Sequence, residues 1–199
     1  MKNLAIIAIL ATVAGMASAD EISAFVKNDY DTAAHTSTSV DRAVVGAKYN
    51  FGGNLGAVDG GVALANVHVN SVSDNAVGYD IGYSNGVTVG PVALTGRIGY
   101  THSNFNNVGH VRDISSNVAH YAVEAALPVT SVFTGFIGAE RLHGQVYVDN
   151  LSGNGNANRY TAGTDIAVSK NVDVRVGYAR TEFSGGNANG ITTNVSYKF

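Results

Sequence analysis

The groups in this chain that could move protons are six histidines and a scattered set of carboxylates. Acid–base or nucleophilic chemistry needs a base, an orienting carboxylate and a nucleophile or water within hydrogen-bond reach. His102 is followed by Ser103, but neighbours in an extended strand point to opposite faces. His120 and Glu124 share a face, yet four residues of strand separate them by about 13 Å. His35, His68, His110 and His143 are too scattered to argue a metal site, and no paired Asp or Asp-His motif of the protease kind occurs. The chain has no Cys, which rules out a disulfide framework, a thiolate metal site and a lipid-modified Cys anchor. No catalytic residue, cofactor or metal is therefore expected.

The stronger pattern lies in the charged residues. Lys27, Asp29, Arg42, Lys48, Asp80, Arg97, Glu124, Glu140, Arg159, Asp165, Asp173, Arg175 and Lys198 all fall on one parity of alternating segments. Gly78, Gly82, Gly99, Gly138, Gly163 and Gly177 share that parity. The opposite parity is apolar, as in Val77, Tyr79, Ile81 and Tyr83, or Val172, Val174, Val176 and Tyr178. Neither sign of charge dominates the polar face, and a formal net charge of −3 gives no footprint for nucleic acid.

The elements that carry this pattern read as strands, because the mature sequence alternates with period 2 almost throughout. Ten are expected, at about 21–30, 40–51, 57–69, 76–84, 91–102, 117–127, 132–143, 158–168, 172–183 and 190–199; the third has the least regular pattern. Short connections (Gly52–Gly56, Ser84–Gly90, Pro128–Ser131, Ser169–Asn171) alternate with longer or more polar ones (Asp31–Ser39, Asn70–Asn75, Ser103–Ser116, Gly144–Ala157, Ser184–Asn189). Beginning and ending on a long connection requires an even strand count. Ten satisfies it; eight would need one hairpin to stand outside the sheet.

Residues 1–19 are set apart from this pattern. Lys2 gives a positive start, Leu4 to Ala14 an apolar run, and Ala17-Ser18-Ala19 a small-x-small cleavage site, the three parts of a secretory signal peptide. The apolar run is shorter than the roughly 20 residues of a spanning helix. Residues 20–199 are then a single domain.

Alternation alone does not separate a soluble sandwich from a membrane barrel; the placement of aromatics does. Tyr49, Phe51, Tyr83, Phe133, Tyr197 and Phe199 fall near one end of the strands. Tyr30, Tyr100, Tyr121, Tyr160 and Tyr178 fall toward the other. Two rings of amphipathic side chains on the apolar face match the two membrane interfaces. Asp41, Arg141, Arg180 and Glu182 break the apolar parity, all at the long-connection ends, where a charge facing lipid costs little. Only 14% of the residues are charged, well below the usual quarter for a soluble domain.

The last strand places Thr193, Val195, Tyr197 and Phe199 on one face and ends on Phe. With a signal peptide in front, it resembles the C-terminal signal by which outer-membrane barrels are recognised for insertion. The mature chain is similar to small bacterial outer-membrane β-barrels of the broad porin-like superfamily. The resemblance implies a closed antiparallel transmembrane barrel in the outer membrane of a Gram-negative bacterium, with both ends periplasmic. It also implies contact with outer-membrane lipids, including lipopolysaccharide, and with the export and insertion machinery. A monomer is expected.

The function expected is a non-enzymatic barrel, structural or forming at most a narrow, low-conductance passage. Lys48, Asp80, Arg97, Glu124, Glu140, Asp165, Arg175 and Lys198 would line its lumen. They could form an ion-pair network filling a narrow interior or the wall of a weakly selective wet passage. Arg97, Glu124, Glu140 and Arg175 are expected to share one network, with Arg97 and Glu124 at similar depth. An adhesin or receptor acting through its loops is the alternative, and a lipid-modifying enzyme ranks below both.

Overall fold

A computed structural model describes residues 21–33, 38–52, 55–69, 72–105, 114–148 and 151–199, apart from the side chains of Val69 and Val72. The expected signal peptide, residues 1–19, lies outside the described residues.

Ten antiparallel strands close into one barrel. They are β1 (Ile22–Ala33), β2 (Thr38–Asn50), β3 (Ala57–Val69), β4 (Val72–Val89), β5 (Val92–Phe105), β6 (Ile114–Pro128), β7 (Phe133–Val148), β8 (Leu151–Ala167), β9 (Val172–Phe183) and β10 (Gly186–Lys198). Every strand pairs with its sequence neighbour, and β1 pairs with β10 from Ser23↔Lys198 to Ala33↔Ala188. The ring has no free edge over its paired length, so its backbone groups are satisfied within the sheet as lipid demands.

The apolar parity faces outward: Val62, Val77, Ile81, Ile98, Val123, Ile137, Val176, Ile191 and Val195 are all exposed on the outer wall. The girdle rings share that wall. Tyr49, Phe51, Tyr83, Phe133, Tyr197 and Phe199 are exposed, as are Tyr121, Tyr160 and Tyr178. Tyr49 stands edge-on to Phe51, and Tyr197 to Phe199, each with centroids 5.0 Å apart. Tyr100 is half-buried because Tyr79 lies 6.3 Å from it.

The expected strands are all present, but several run further than the sequence pattern indicates. β4 continues to Val89, so the connection expected over Ser84–Gly90 shrinks to a turn at Gly90–Pro91, with Gly90 at φ 60°. Tyr83 consequently lies inside its strand rather than at its end, and its hydroxyl donates to the carbonyl of Leu55 at 2.9 Å in the β2–β3 turn. At the opposite end, most of the expected loop Gly144–Ala157 is hairpin, with Gly144↔Gly155 and Val148↔Leu151 paired. These extensions are rich in Gly, Asn and Ser, with only a few apolar residues such as Val87 and Val146 among them, so their alternation is too weak to mark a strand facing lipid.

Candidate functional site in the barrel lumen

The inward face is built from small residues and charges, with two rings among them. Ala57, Ala63, Ala179 and Ala188 are buried there, and the glycines leave room for long side chains. A Cβ on Gly82 would meet the Arg97 guanidinium, and one on Gly163 or Gly177 would meet the ring of Phe136. The wall is thin where the cations and the ring need the space.

One connected network lies toward the long-loop end. Arg97 on β5 bonds both oxygens of Asp59 on β3 and donates to Asp80 on β4 at 2.9 Å. Arg42 on β2 reaches the other oxygen of Asp80 at 2.9 Å and Thr101 at 3.2 Å. Thr101 donates to Asp80 at 2.6 Å. His120 on β6 sits among these groups: its Nδ1 lies 3.1 Å from Glu140 on β7 and its Nε2 lies 3.6 Å from Asp80. The His120 Nδ1 is also 2.9 Å from Arg97. Arg159 on β8 crosses to β1, meeting Asp29 at 3.1 Å and Asp31 at 2.7 Å. Lys27 meets Asp29 at 3.1 Å, and Arg42 approaches it to 4.0 Å.

A second cluster lies nearer the short-turn end. Arg175 on β9 grips Asp165 on β8 through Nε at 2.6 Å and Nη2 at 2.8 Å. The same guanidinium crosses the lumen to Glu124 on β6, with contacts of 2.7 and 2.9 Å. It lies 4.1 Å over the ring of Phe136, a cation–π contact. Phe136 is 4% exposed, so a nearly enclosed ring occupies the lumen here. Phe25 also points inward, against the backbone at Gly46.

These contacts redistribute the residues expected to act together. Arg97, Glu124, Glu140 and Arg175 do not form one network. Arg97 and Glu140 belong to the upper cluster, linked through His120, while Glu124 and Arg175 belong to the lower one. Arg97 and Glu124 are not partners; Arg97 turns to Asp59 and Asp80 instead. Asp80 and Asp165 each bind an arginine. Lys198 pairs with Asp173 at 2.6 Å by the short-turn rim, below the Arg175 cluster and bonded to neither cluster. Lys48 is exposed and stands opposite Asp59 in the β2–β3 register.

Besides Thr101, four participants were not assigned to the lumen network from sequence. Asp59 sits in the strand with the least regular pattern, and Asp31 in a stretch read as loop. His120 was weighed as a catalytic base, and Phe136 is the one aromatic residue of its strand on the charged parity. That last feature is a legible signal: a lone ring on a polar face must fill space inside.

The two histidine pairs weighed for catalysis separate. His102 faces outward, its Nδ1 2.7 Å from the Asn117 side-chain oxygen and its ring 5.3 Å from that of Tyr79. His120 contacts Asp80, Glu140 and Arg97, not Glu124. Among the described residues, no group of three or more His, Cys, Asp or Glu is arranged to hold a metal ion.

A closed ten-stranded barrel with an apolar outer wall, two aromatic girdles and a charged interior has the fold of the bacterial outer-membrane β-barrels. Solved structures agree on the fold. The translocator domain of the autotransporter NalP from Neisseria meningitidis covers 100% of this chain and 95% of its own, with TM-score 0.56 at 12% identity. The β domain of the Bordetella autotransporter BrkA covers 92% of this chain and 99% of its own, with TM-score 0.58 at 8% identity. Likeness at this identity shows the fold alone. No family model and no curated protein matches the chain.

Proposed function

We propose that this protein is a non-enzymatic outer-membrane barrel whose lumen is braced shut by ion pairs, so that it serves as a structural wall element and passes at most a small ionic current. The observation that carries this reading is the pair of guanidinium struts. Arg159 joins β8 to β1 and Arg175 joins β9 to β6, each linking strands that are not neighbours in the ring. A pore lined for transport keeps its charges against its own wall, whereas struts span the space a solute would use. Phe136 adds an apolar obstruction at the lower level.

The absence of catalysis in this reading is supported by how the acid–base groups are used. His120 sits between Asp80 and Glu140, and Arg42 and Arg97 engage Asp80 and His120, which leaves none of the three acid–base groups aimed at an open cleft. The chain is proposed to be monomeric, made as a precursor with a signal peptide over residues 1–19, and inserted by the barrel-assembly machinery through its terminal aromatic strand. The long-loop end is proposed to face the cell exterior, which puts both ends of the barrel chain in the periplasm.

Planar-bilayer recording on the refolded protein tests the reading. Bilayers holding the parent protein should show no steady openings or only very small ones, and Arg159→Ala with Arg175→Ala should raise the conductance. A large, steady conductance in the parent protein would replace the plug with a pore.

A further inference from the structure

The outer wall over β4–β8 is not smooth. Small outward residues, Gly96, Ala125 and Ala139, lie between large ones, and the wall sinks there into two adjoining depressions of about 540 and about 1160 Å³. The depressions share Asn85, Gly96, Val123, Ala139 and Tyr160, so they form one groove. Its lower part lies between Val87, Leu94 and Ile137 toward the short-turn end, and its upper part between Ile98, Tyr121 and Tyr160.

The upper mouth of this apolar groove carries a cation. Arg141 lines it, directly opposite Tyr121 in the β6–β7 register. Its Nη1 donates to the side-chain oxygen of Asn158 at 2.7 Å, which fixes the guanidinium at the rim while other donors remain. His143 lies two residues further along the same face of β7, about 7 Å on. Its Nδ1 is 2.7 Å from Asn156. A fixed guanidinium beside an imidazole, above an apolar trough at the level of the upper aromatic girdle, suits a phosphate joined to acyl chains.

We propose that the β4–β8 groove and Arg141 form a binding site for one molecule of the phosphorylated, multiply acylated glycolipid that anchors lipopolysaccharide. Its acyl chains lie along the trough floored by Gly96 and Ala139, and one of its phosphates meets Arg141 and His143. Two adjoining depressions under one cationic mouth fit a lipid with several chains under a compact phosphorylated head. The assignment rests on the reading that the long-loop end faces the outer leaflet. A second copy of this chain is less well matched: the outward carboxylates of its wall are Asp41 and Glu182, the latter already held by Arg180 at 3.0 Å, and its strands bring no flexible chains to fill the trough.

The test is native mass spectrometry of the refolded protein in detergent with added lipid A, which does not depend on orientation in a membrane. Two variants probe the two halves of the site. Arg141→Gln removes the charge. Gly96→Phe fills the trough, and its Cβ has open space, the nearest atom being the Asn85 carbonyl oxygen at 3.9 Å. Heat-modifiable migration on gels checks that each variant still folds, and Ala139→Phe replaces Gly96→Phe if that variant does not. Each variant should lower retained lipid A at least fivefold, and dephosphorylated lipid A or phosphatidylglycerol should bind the parent several-fold more weakly. Unchanged retention in both variants would overturn the site. Equal binding of phosphatidylglycerol or of the dephosphorylated lipid would overturn the assigned ligand. Failure of the orientation reading would appear separately, in surface labelling of intact cells.

Discussion

Arg175 and Glu124 face each other across the barrel interior, joined by two parallel contacts of 2.7 and 2.9 Å between strands that share no backbone hydrogen bond. Such a bidentate pair ties together strands three apart in the ring as a backbone ladder cannot, and its side chains are about 30% exposed, so the site is only partly dry. Removing one partner from a well-enclosed pair costs roughly 3–5 kcal/mol, against about 1 kcal/mol for a solvated one.

Arg175→Gln and Glu124→Gln should therefore each destabilise the refolded barrel by about 2–3 kcal/mol in urea, between those limits. The double variant should lose less than the sum, because the two side chains are in contact. Arg97→Gln with Glu124→Gln should instead be additive, since these residues lie in different clusters. A coupling between Arg97 and Glu124 larger than that between Arg175 and Glu124 would contradict the observed partition.

Phe136→Ala should be among the most disruptive single changes in the lumen. It empties an enclosed ring volume and removes the surface under the Arg175 guanidinium, for a loss of about 3–5 kcal/mol. The same variant should open the lower level of the plug and raise bilayer conductance. A stable variant with parental conductance would show that the ring obstructs nothing.

Orientation can be read with cysteine labelling, because the natural chain has none. Ser184→Cys lies in the turn between β9 and β10, and Ser131→Cys in the turn between β6 and β7. A membrane-impermeant maleimide on intact cells should label the first and not the second. The reverse pattern would turn the barrel over.

Changing Tyr197 and Phe199 together to Ser should leave protein in the periplasm and reduce the heat-modifiable form. These rings pack edge to face on the outer wall, and the Phe199 amide donates to the Ile22 carbonyl at 3.1 Å where the ring closes. Normal amounts of folded barrel from that variant would remove the terminal aromatics from the insertion signal.

His102→Ala should leave folding and stability near parental values, as the ring sits on the outer wall with Asn117 and Tyr79 as neighbours. His120→Ala should cost stability, because Glu140 and Asp80 would lose a buried neighbour. A purified parent protein that cleaves a peptide or deacylates a lipid, and loses that activity with either change, would defeat the non-enzymatic reading.

The wall of this barrel was legible in the sequence because lipid imposes a rule that every residue of a spanning strand must obey. Val172, Val174, Val176 and Tyr178 could point nowhere else. Beyond the membrane that rule lapses. The stretch Leu151–Ala157 reads as loop because Ser, Gly and Asn occupy both faces, although Leu142–Val148 holds it in register as strand. Inside the barrel, parity shows that Arg97 and Arg175 point inward but not which carboxylate each will meet. That choice depends on how far each strand is staggered around the closed ring and on which glycines open space for a long side chain. Hence the partnership of Arg175 with Glu124, three strands away, has no local signature.

The pairing of β1 with β10 also has a consequence in time. Lys198 lies opposite Ser23, so the contacts that seal the cylinder join positions at the two extremes of the barrel sequence. Such pairings carry the largest loop-closure entropy a chain of this length can incur and make the route to the finished shape slow. Without the tenth strand the other nine would leave two raw edges, the surface that invites aggregation. Pairing β10 with β1 removes both edges at once, so the cylinder owes its durability to the one seam that joins its ends.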